Sequence, residues 1–171
     1  MVKLVGAVLL ISAGSLGGFI WAEKLSDRCE LLKEWIRILD VFQTEIYYQG
    51  RLLPEIFRRI AEISTDFHLG EAFRKMAVKL SFGSGSGVAE VWEQLVWARS
   101  NLLSAADLTV LLELGGYLGS TDRLDQLNKI KACKANLESQ LQEAERKRVA
   151  KTSLYRYLGF ALGAAVVLWL L

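Results

Sequence analysis

The chain has 171 residues, of which 52% are hydrophobic and 23% are charged, and 21 basic against 19 acidic side chains leave a formal net charge of +2. This near balance excludes a strongly basic protein that binds nucleic acid through its overall field. The charged fraction is that of an ordinary globular protein, whereas the hydrophobic fraction is higher, and the additional apolar residues lie at the two ends of the chain.

Two uncharged apolar segments, residues 4–22 and 157–171, are typical of membrane-spanning helices. The first has the length of about 20 residues that a span requires, and the second is slightly short and needs the aromatic residues and Arg156 at its flanks as interfacial anchors. We therefore predict transmembrane helices in residues 1–22 and 154–171, with a domain in residues 23–153 between them. The alternatives are a cleaved signal peptide at the N-terminus and a buried core helix at the C-terminus.

Basic residues crowd the inner flanks of both segments. After the first segment these are Lys24, Arg28 and Lys33. Before the second segment they are Arg146, Lys147, Arg148, Lys151 and Arg156. The positive-inside rule then places the central domain in the cytoplasm and both termini on the far side. We expect a two-pass protein of the cell membrane that contacts membrane lipid.

Each predicted span contains a G-x-x-x-G pattern, formed by Gly14 with Gly18 and by Gly159 with Gly163. Small residues four apart allow membrane helices to approach each other closely. These glycines are therefore candidates for membrane helix packing, either between the two spans or with another protein.

The central domain has helical periodicity throughout, and it predicts six helices. The first ends near Gly50, the second begins at Pro54 and ends near Ser64, and the third covers residues 69–80. The predicted apolar stripe of the first helix is Leu25, Cys29, Leu32, Ile36, Leu39, Gln43 and Ile46, interrupted only by Gln43. A flexible loop, residues 83–87, follows the third helix.

The fourth helix is predicted over residues 88–99, and Ser104 with Asp107 has the spacing of a capping box that opens the fifth. The fifth ends at one of the glycines 115, 116 or 119, and the sixth begins near Asp122 and continues into the second span. Its predicted apolar face is Leu124, Leu127, Ile130, Leu137, Leu141 and Ala144. The fold class is thus all-α, a six-helix antiparallel bundle whose two ends return to the same membrane face.

The sequence contains no pattern that indicates catalysis. His68 is the single histidine and is expected to be exposed at a helix start. Cys29 and Cys133 lack metal-site spacing and are expected to be core thiols rather than a disulfide. The 83–87 loop lacks the Gly-Lys-Ser/Thr of a phosphate-binding loop. We therefore predict a non-enzymatic protein that holds no metal ion and no cofactor.

Four blocks of residues carry a resemblance to a known family, and they extend over nearly the whole chain. The first two are Lys3, Leu4, Gly6, Ala7, Gly18, Phe19, Ala22, Leu25 and Arg28, then Glu45, Ile46, Tyr48, Leu53, Pro54, Glu55, Ile60 and Ala61. The later, more specific blocks are Leu118, Gly119, Thr121, Asp122, Arg123, Asp125 and Gln126, then Tyr155, Arg156, Leu158, Gly159 and Phe160. Together these blocks resemble the stage III sporulation protein AB family.

The resemblance implies a role in endospore formation, in the mother-cell membrane around the forespore, within the assembly that links the two cells. It also implies a helical domain similar to the cytoplasmic domain of the type II secretion inner-membrane platform protein. The chain would then be a scaffold that bridges other sporulation membrane channel proteins and a cytoplasmic ATPase, with homo-oligomerisation left open. A membrane-anchored regulator of a partner ATPase or membrane protein, outside any channel, is the alternative, and an unrecognised enzyme is the third hypothesis.

On the family interpretation, one block becomes a candidate partner-docking or hinge surface. Its residues are Leu118, Gly119, Thr121, Asp122, Arg123, Asp125 and Gln126. The alternative interpretation is local: Gly119 ends the fifth helix, and Thr121 or Asp122 caps the sixth.

Overall fold

The computed structural model describes residues 26–82, 87–119 and 122–170, with residues 48, 49 and 151–170 described by their backbone alone. The first predicted span, including Gly14 and Gly18, lies outside these residues, as do Thr121 and residues 83–86 of the predicted loop. Gly159 and Gly163 lie in a helix of known backbone, and their packing stays a prediction. No helix in the described part of the chain is long and apolar enough to cross a membrane.

Six helices and no strand make up the described ranges, which confirms the all-helical prediction. Helix α1 covers residues 26–44 and continues as a π-helical turn, Glu45–Gln49. The others are α2 (Leu53–Ile63), α3 (Phe67–Ser81), α4 (Val88–Trp97), α5 (Ala105–Gly115) and α6 (Arg123–Leu170), with a 3-10 turn, Ser100–Leu102, before α5.

The chain divides into two compact units, one of residues 30–141 and one of residues up to Cys29 and from Gln142 onward. In the first unit, α2 packs on α3, α3 on α4 and α4 on α5. In the second, Cys29 and Ala144 are fully buried. Both cysteines are buried and are not joined by a disulfide, as the sequence predicts.

The core of the first unit contains a cluster of five fully buried aromatic side chains: Trp35 and Phe42 from α1, Phe57 from α2, Phe73 from α3 and Trp92 from α4. The centroids of neighbouring rings lie 5.3 to 6.5 Å apart, in tilted or edge-to-face arrangements. Such pairs are favourable because the positive edge of one ring meets the negative face of another. The cluster therefore joins four helices at one place.

The stripe predicted for α1 is too narrow. Of its apolar members, Cys29, Leu32, Leu39 and Ile46 are buried, Ile36 is partly exposed, and Leu25 lies outside the described residues. Four apolar residues outside the stripe are buried as well: Leu31, Trp35, Ile38 and Phe42. The reason is that the rings of Trp35 and Phe42 contact rings from three other helices, so α1 buries a wider face than one stripe.

The prediction for Leu124 is wrong, because this side chain is 68% exposed. Leu124, Leu127 and Ile130 are three residues apart, and each step of three falls about 60° short of a full turn. Leu124 therefore points well away from Ile130, which is buried together with Leu127, Leu137 and Ala144 on the true inner face.

A buried carboxylate attaches the α2–α3 turn to α1. Glu34 is 5% exposed and accepts hydrogen bonds from Arg37 Nη2 at 2.8 Å, from Ser64 Oγ at 2.7 Å, and from the Thr65 amide and hydroxyl at 2.9 and 2.6 Å. Burial alone would raise the pKa of Glu34, but the hydrogen bonds from Arg37, Thr65 and Ser64 together lower it to about 2. The carboxylate is thus charged and fully partnered at neutral pH.

Acid should weaken the fold through Glu34. Because its folded pKa of about 2 lies below the reference value of 4.5, the stabilisation is complete above pH 4.5 and is lost as the pH falls towards 2. A shift of this size corresponds to about 3 kcal/mol at neutral pH. In urea unfolding of the full chain, Glu34→Gln should lose about 2 to 3 kcal/mol at neutral pH and show a smaller acid-dependent loss than the native chain. Glu30→Gln, on the exposed face of α1, is the control. Equal acid dependence in all three proteins would contradict this assignment.

Gly115 in α5 is required by its contact with Trp92. The indole Nε1 of Trp92 donates to the Leu111 carbonyl at 2.6 Å, and a Cβ at Gly115 would lie 2.5 Å from Cδ1 of the same ring. The next residue, Gly116, is exposed, and a Cβ there would meet only the Glu113 carbonyl at 3.6 Å.

Gly115→Ala should therefore destabilise the chain by about 1 to 3 kcal/mol through overpacking. Gly116→Ala should change stability by less than about 1 kcal/mol, since this position has helical backbone angles and free space. Thermal unfolding followed by circular dichroism checks both variants. If the two alanines had the same effect, the close contact with Trp92 would not be what requires glycine.

Candidate docking surface

A cleft of about 490 Å³ lies in the first unit where helix ends meet. The C-terminal ends of α1 and α3, the turn after α5, and the first residues of α2, α4 and α6 form it. Its apolar walls are Ile46, Leu52, Leu53, Pro54, Leu80 and Val88. Its polar lining consists of Arg51, Arg123 and Gln126, and Gly50 and Gly119 complete it.

The α1–α2 connection forms one side of the cleft. Helix α1 ends in the π-helical turn, and Gly50 follows with a φ of +59°, a left-handed conformation that glycine adopts at little cost. Leu52 is extended, and its carbonyl accepts from the Glu55 amide at 2.9 Å, while Pro54 lies in the first turn of α2, where its lack of an N–H is harmless. These local features hold Leu52 at the opening, 70% exposed.

The α5–α6 turn forms the opposite side. Gly119 has a φ of +76°, and a Cβ there would lie 3.2 Å from Leu53 Cδ1 and 3.5 Å from Val88 Cγ2. The turn therefore packs directly on the first residues of α2 and α4. Asp122 Oδ1 accepts from the Asp125 amide at 2.8 Å and caps α6, as the local interpretation predicts. The other part of that interpretation is wrong, because α5 ends at Gly115 and Gly119 belongs to the turn that follows.

The residues predicted for docking take different positions in this structure. Leu118 is 3% exposed and anchors the turn in the core, so it presents little surface to a partner. Asp122 and Asp125 form the cap of α6, whereas Gly119, Arg123 and Gln126 line the cleft. The docking role itself stays a prediction.

The residue pattern did not indicate the other half of the surface, which Arg51, Leu52 and Val88 contribute. Leu52 and Leu53 are two apolar residues at a helix start just after a glycine, and apolar residues in such a connection must pack or bind something. This pair of leucines was the feature from which the second half of the surface could have been predicted. Leu53 and Pro54 already belong to a block that carries the family resemblance, and they now share one cleft with Gly119, Arg123 and Gln126.

The charges of the cleft come from two arginines. Arg51 Nη1 lies 3.2 Å from Oε2 of Glu45, whose carboxylate is buried behind it. Arg123 is exposed and has no ion-pair partner among the described residues. The guanidinium of Arg51 is therefore paired with a carboxylate, whereas that of Arg123 is not paired with one among the described residues.

One exposed large apolar side chain lies at the opening of this cleft, and others lie near its lining residues along the chain. Leu52 lines it, and four other exposed large apolar residues lie within two positions along the chain of a lining residue: Tyr47, Val78, Phe82 and Leu124. Exposed apolar surface beside polar groups is typical of a surface that binds another macromolecule, and Leu52 provides such surface at the opening.

The groups with shifted pKa values do not line the cleft. Burial raises the pKa of the Cys133 thiol to about 12, and the nearby Glu113 carboxylate adds to this, so the thiol is unreactive at neutral pH. His68 is exposed at the start of α3, as predicted. No group of histidine, cysteine and acidic side chains in the described residues could hold a metal ion.

Comparison with known proteins agrees with this architecture. The family model described as stage III sporulation protein AB matches residues 3–171. Stage III sporulation protein AB of Bacillus subtilis (strain 168) is 28% identical over 174 residues, with 100% of both chains covered. A solved structure of a stage III sporulation protein AB is similar in fold, with a TM-score of 0.63 at 24% identity, over 72% of this chain and 98% of that one. The chain belongs to the stage III sporulation protein AB family.

Proposed function

We propose that the chain is a membrane-anchored, non-catalytic scaffold in endospore formation. In this role it joins membrane proteins of a secretion-like channel between mother cell and forespore to a cytoplasmic ATPase. Membership of a sporulation family supports the process, and the uncharged segments at both chain ends support the membrane anchors. The proposed similarity to the type II secretion platform protein is an argument from fold and not from a site.

The observation that carries the proposal is the open apolar cleft with its unbalanced arginine. An enzyme pocket brings together polar groups whose pKa values are shifted. In the described residues the shifted groups are Glu34, Cys133, Lys134 and Glu143, and none of them lines the cleft. The cleft is therefore suited to binding rather than to proton transfer or nucleophilic attack.

The position of the cleft along the chain suits a cytoplasmic partner. It forms at the C-terminal end of α1 and the first turn of α6, whereas the predicted spans precede α1 and end α6. In both α1 and α6, the residues at the cleft are therefore those separated from the predicted span by the most residues along the chain. In the proposed topology the cleft therefore belongs to the cytoplasmic domain, to which a cytoplasmic partner has access.

Cysteine accessibility in sporulating cells of the native host tests the membrane topology. A chain with Ser84→Cys should remain in the membrane fraction and react with a membrane-impermeant maleimide only after lysis. The native chain is the matched control, because Cys29 and Cys133 are buried and should react only after unfolding. Labelling of Ser84→Cys from outside intact cells before engulfment, or release of the chain by an alkaline wash, would contradict the proposed topology.

A further inference from the structure

We propose that the cleft binds a short apolar peptide segment that carries a carboxylate, supplied by a partner protein. The apolar side chains would pack on the walls, and the carboxylate would pair with Arg123. This inference rests on the proposed scaffold function and adds the chemical class of the partner segment.

The shape and lining of the cleft favour a few side chains rather than a whole protein surface. Its volume of about 490 Å³ lies within the range of about 300 to 1,000 Å³ that is usual for ligand pockets. Ile46, Leu53, Leu80 and Val88 provide apolar walls, and the exposed Leu52 extends them at the opening. Burying such surface against apolar side chains of a peptide is favourable.

The two arginines determine the sign of the charge that the ligand must carry. The lining contains no carboxylate, and Glu45 already balances Arg51. The acidic residues nearest to Arg123 in sequence are Asp122 and Asp125, which do not line the cleft, and Asp122 caps α6. Arg123 is therefore the charge that a ligand can neutralise.

Helix dipoles do not change this sign. Three helices begin at the cleft and place the positive ends of their dipoles there, whereas α1 and α3 end there and α5 ends one turn away, with negative ends. These contributions largely offset each other. A guanidinium, in contrast, can form two parallel hydrogen bonds with a carboxylate, which gives both affinity and orientation.

A second copy of this chain fits the cleft less well. In a twofold-symmetric pair the two clefts would face each other, and the arginines of both copies would meet. Like charges at an interface oppose association. An acidic segment of a different protein meets no such repulsion.

Peptide binding to the purified full-length chain in phosphatidylcholine nanodiscs tests the proposal. The probe is a six-residue peptide of Leu-Leu-Ala-Leu-Glu-Glu with a neutral fluorophore at its N-terminus and an amidated C-terminus, and matched amidated peptides end in two lysines or two glutamines. In fluorescence anisotropy the glutamate peptide should bind about tenfold more tightly than the lysine peptide, and its affinity should fall at high salt.

Two variants separate the role of Arg123 from general basicity. Arg123→Gln should lower the affinity for the glutamate peptide about three- to tenfold and leave the affinity for the glutamine peptide unchanged. Lys131→Gln removes an exposed cation from the same helix outside the cleft, so it should have no effect. Circular dichroism establishes that both variants are folded.

Several outcomes would overturn the proposal. These are equal affinity for the glutamate and lysine peptides, equal effects of the two variants, or no peptide binding at all. Binding to phosphatidylglycerol vesicles that depends on Arg123, without peptide binding, would assign the cleft to an anionic lipid headgroup. Self-association that Arg123→Gln abolishes would assign it to an acidic segment of a second copy in a head-to-tail arrangement. The maleimide result is independent of these measurements, so failure of the membrane topology and failure of the peptide site can be told apart.

Discussion

Contact among five aromatic rings is the interaction on which the described fold depends. The rings come from α1, α2, α3 and α4, and Trp92 extends the contact to α5 through its hydrogen bond to Leu111 and its close approach to Gly115. Phe42 lies just before the π-helical turn of α1, and Phe57 lies one turn after the start of α2. Their edge-to-face contact, at 5.7 Å between centroids, therefore fixes the two helix ends between which Gly50 and Leu52 form one side of the cleft.

The two ends of the first unit differ in how their polar groups are partnered. At the α2–α3 turn, Glu34 is partnered by Arg37, Ser64 and Thr65, and Asp66 both caps α3 and pairs with Arg99 at 2.8 Å. At the cleft end, Arg123 lacks an ion-pair partner among the described residues, and Leu52 is exposed beside it. The charged groups at the first end are thus partnered within the chain, whereas Arg123 at the second end is not, and this difference is what the proposed docking role depends on.

Local sequence signals predicted the helices and their caps. Ser104 and Asp107 form the expected capping box, Asp122 caps α6, and α5 ends at Gly115, because capping depends on residues only three positions apart. The buried faces were harder to predict. Apolar residues at spacings of three and four form a stripe wide enough to pack against one neighbouring helix. Helix α1 contacts rings from three other helices, so Trp35 and Phe42 lie outside the predicted stripe.

The cleft could be predicted only in part, because its two sides are far apart in sequence. Residues 118–126 were selected by resemblance, and the structure divides them between core, cap and cleft. Leu52 and Arg51 had no distinguishing motif. What makes them part of a surface is the packing of the start of α2 beside the start of α6, where Arg123 approaches Gly50 and Leu53 approaches Gly119, and no local pattern contains that information.

The central claim is that this chain works by binding partners at the cleft end of its helical unit. Site-specific photo-cross-linking during sporulation tests it most directly, with a photoreactive phenylalanine analogue in place of Leu52 and, as control, in place of Lys131. The account predicts adducts from position 52 with a sporulation channel protein or the ATPase, lost when Arg123→Glu is added, and no such adducts from position 131. Equal adducts from both positions, or none from position 52, would contradict it.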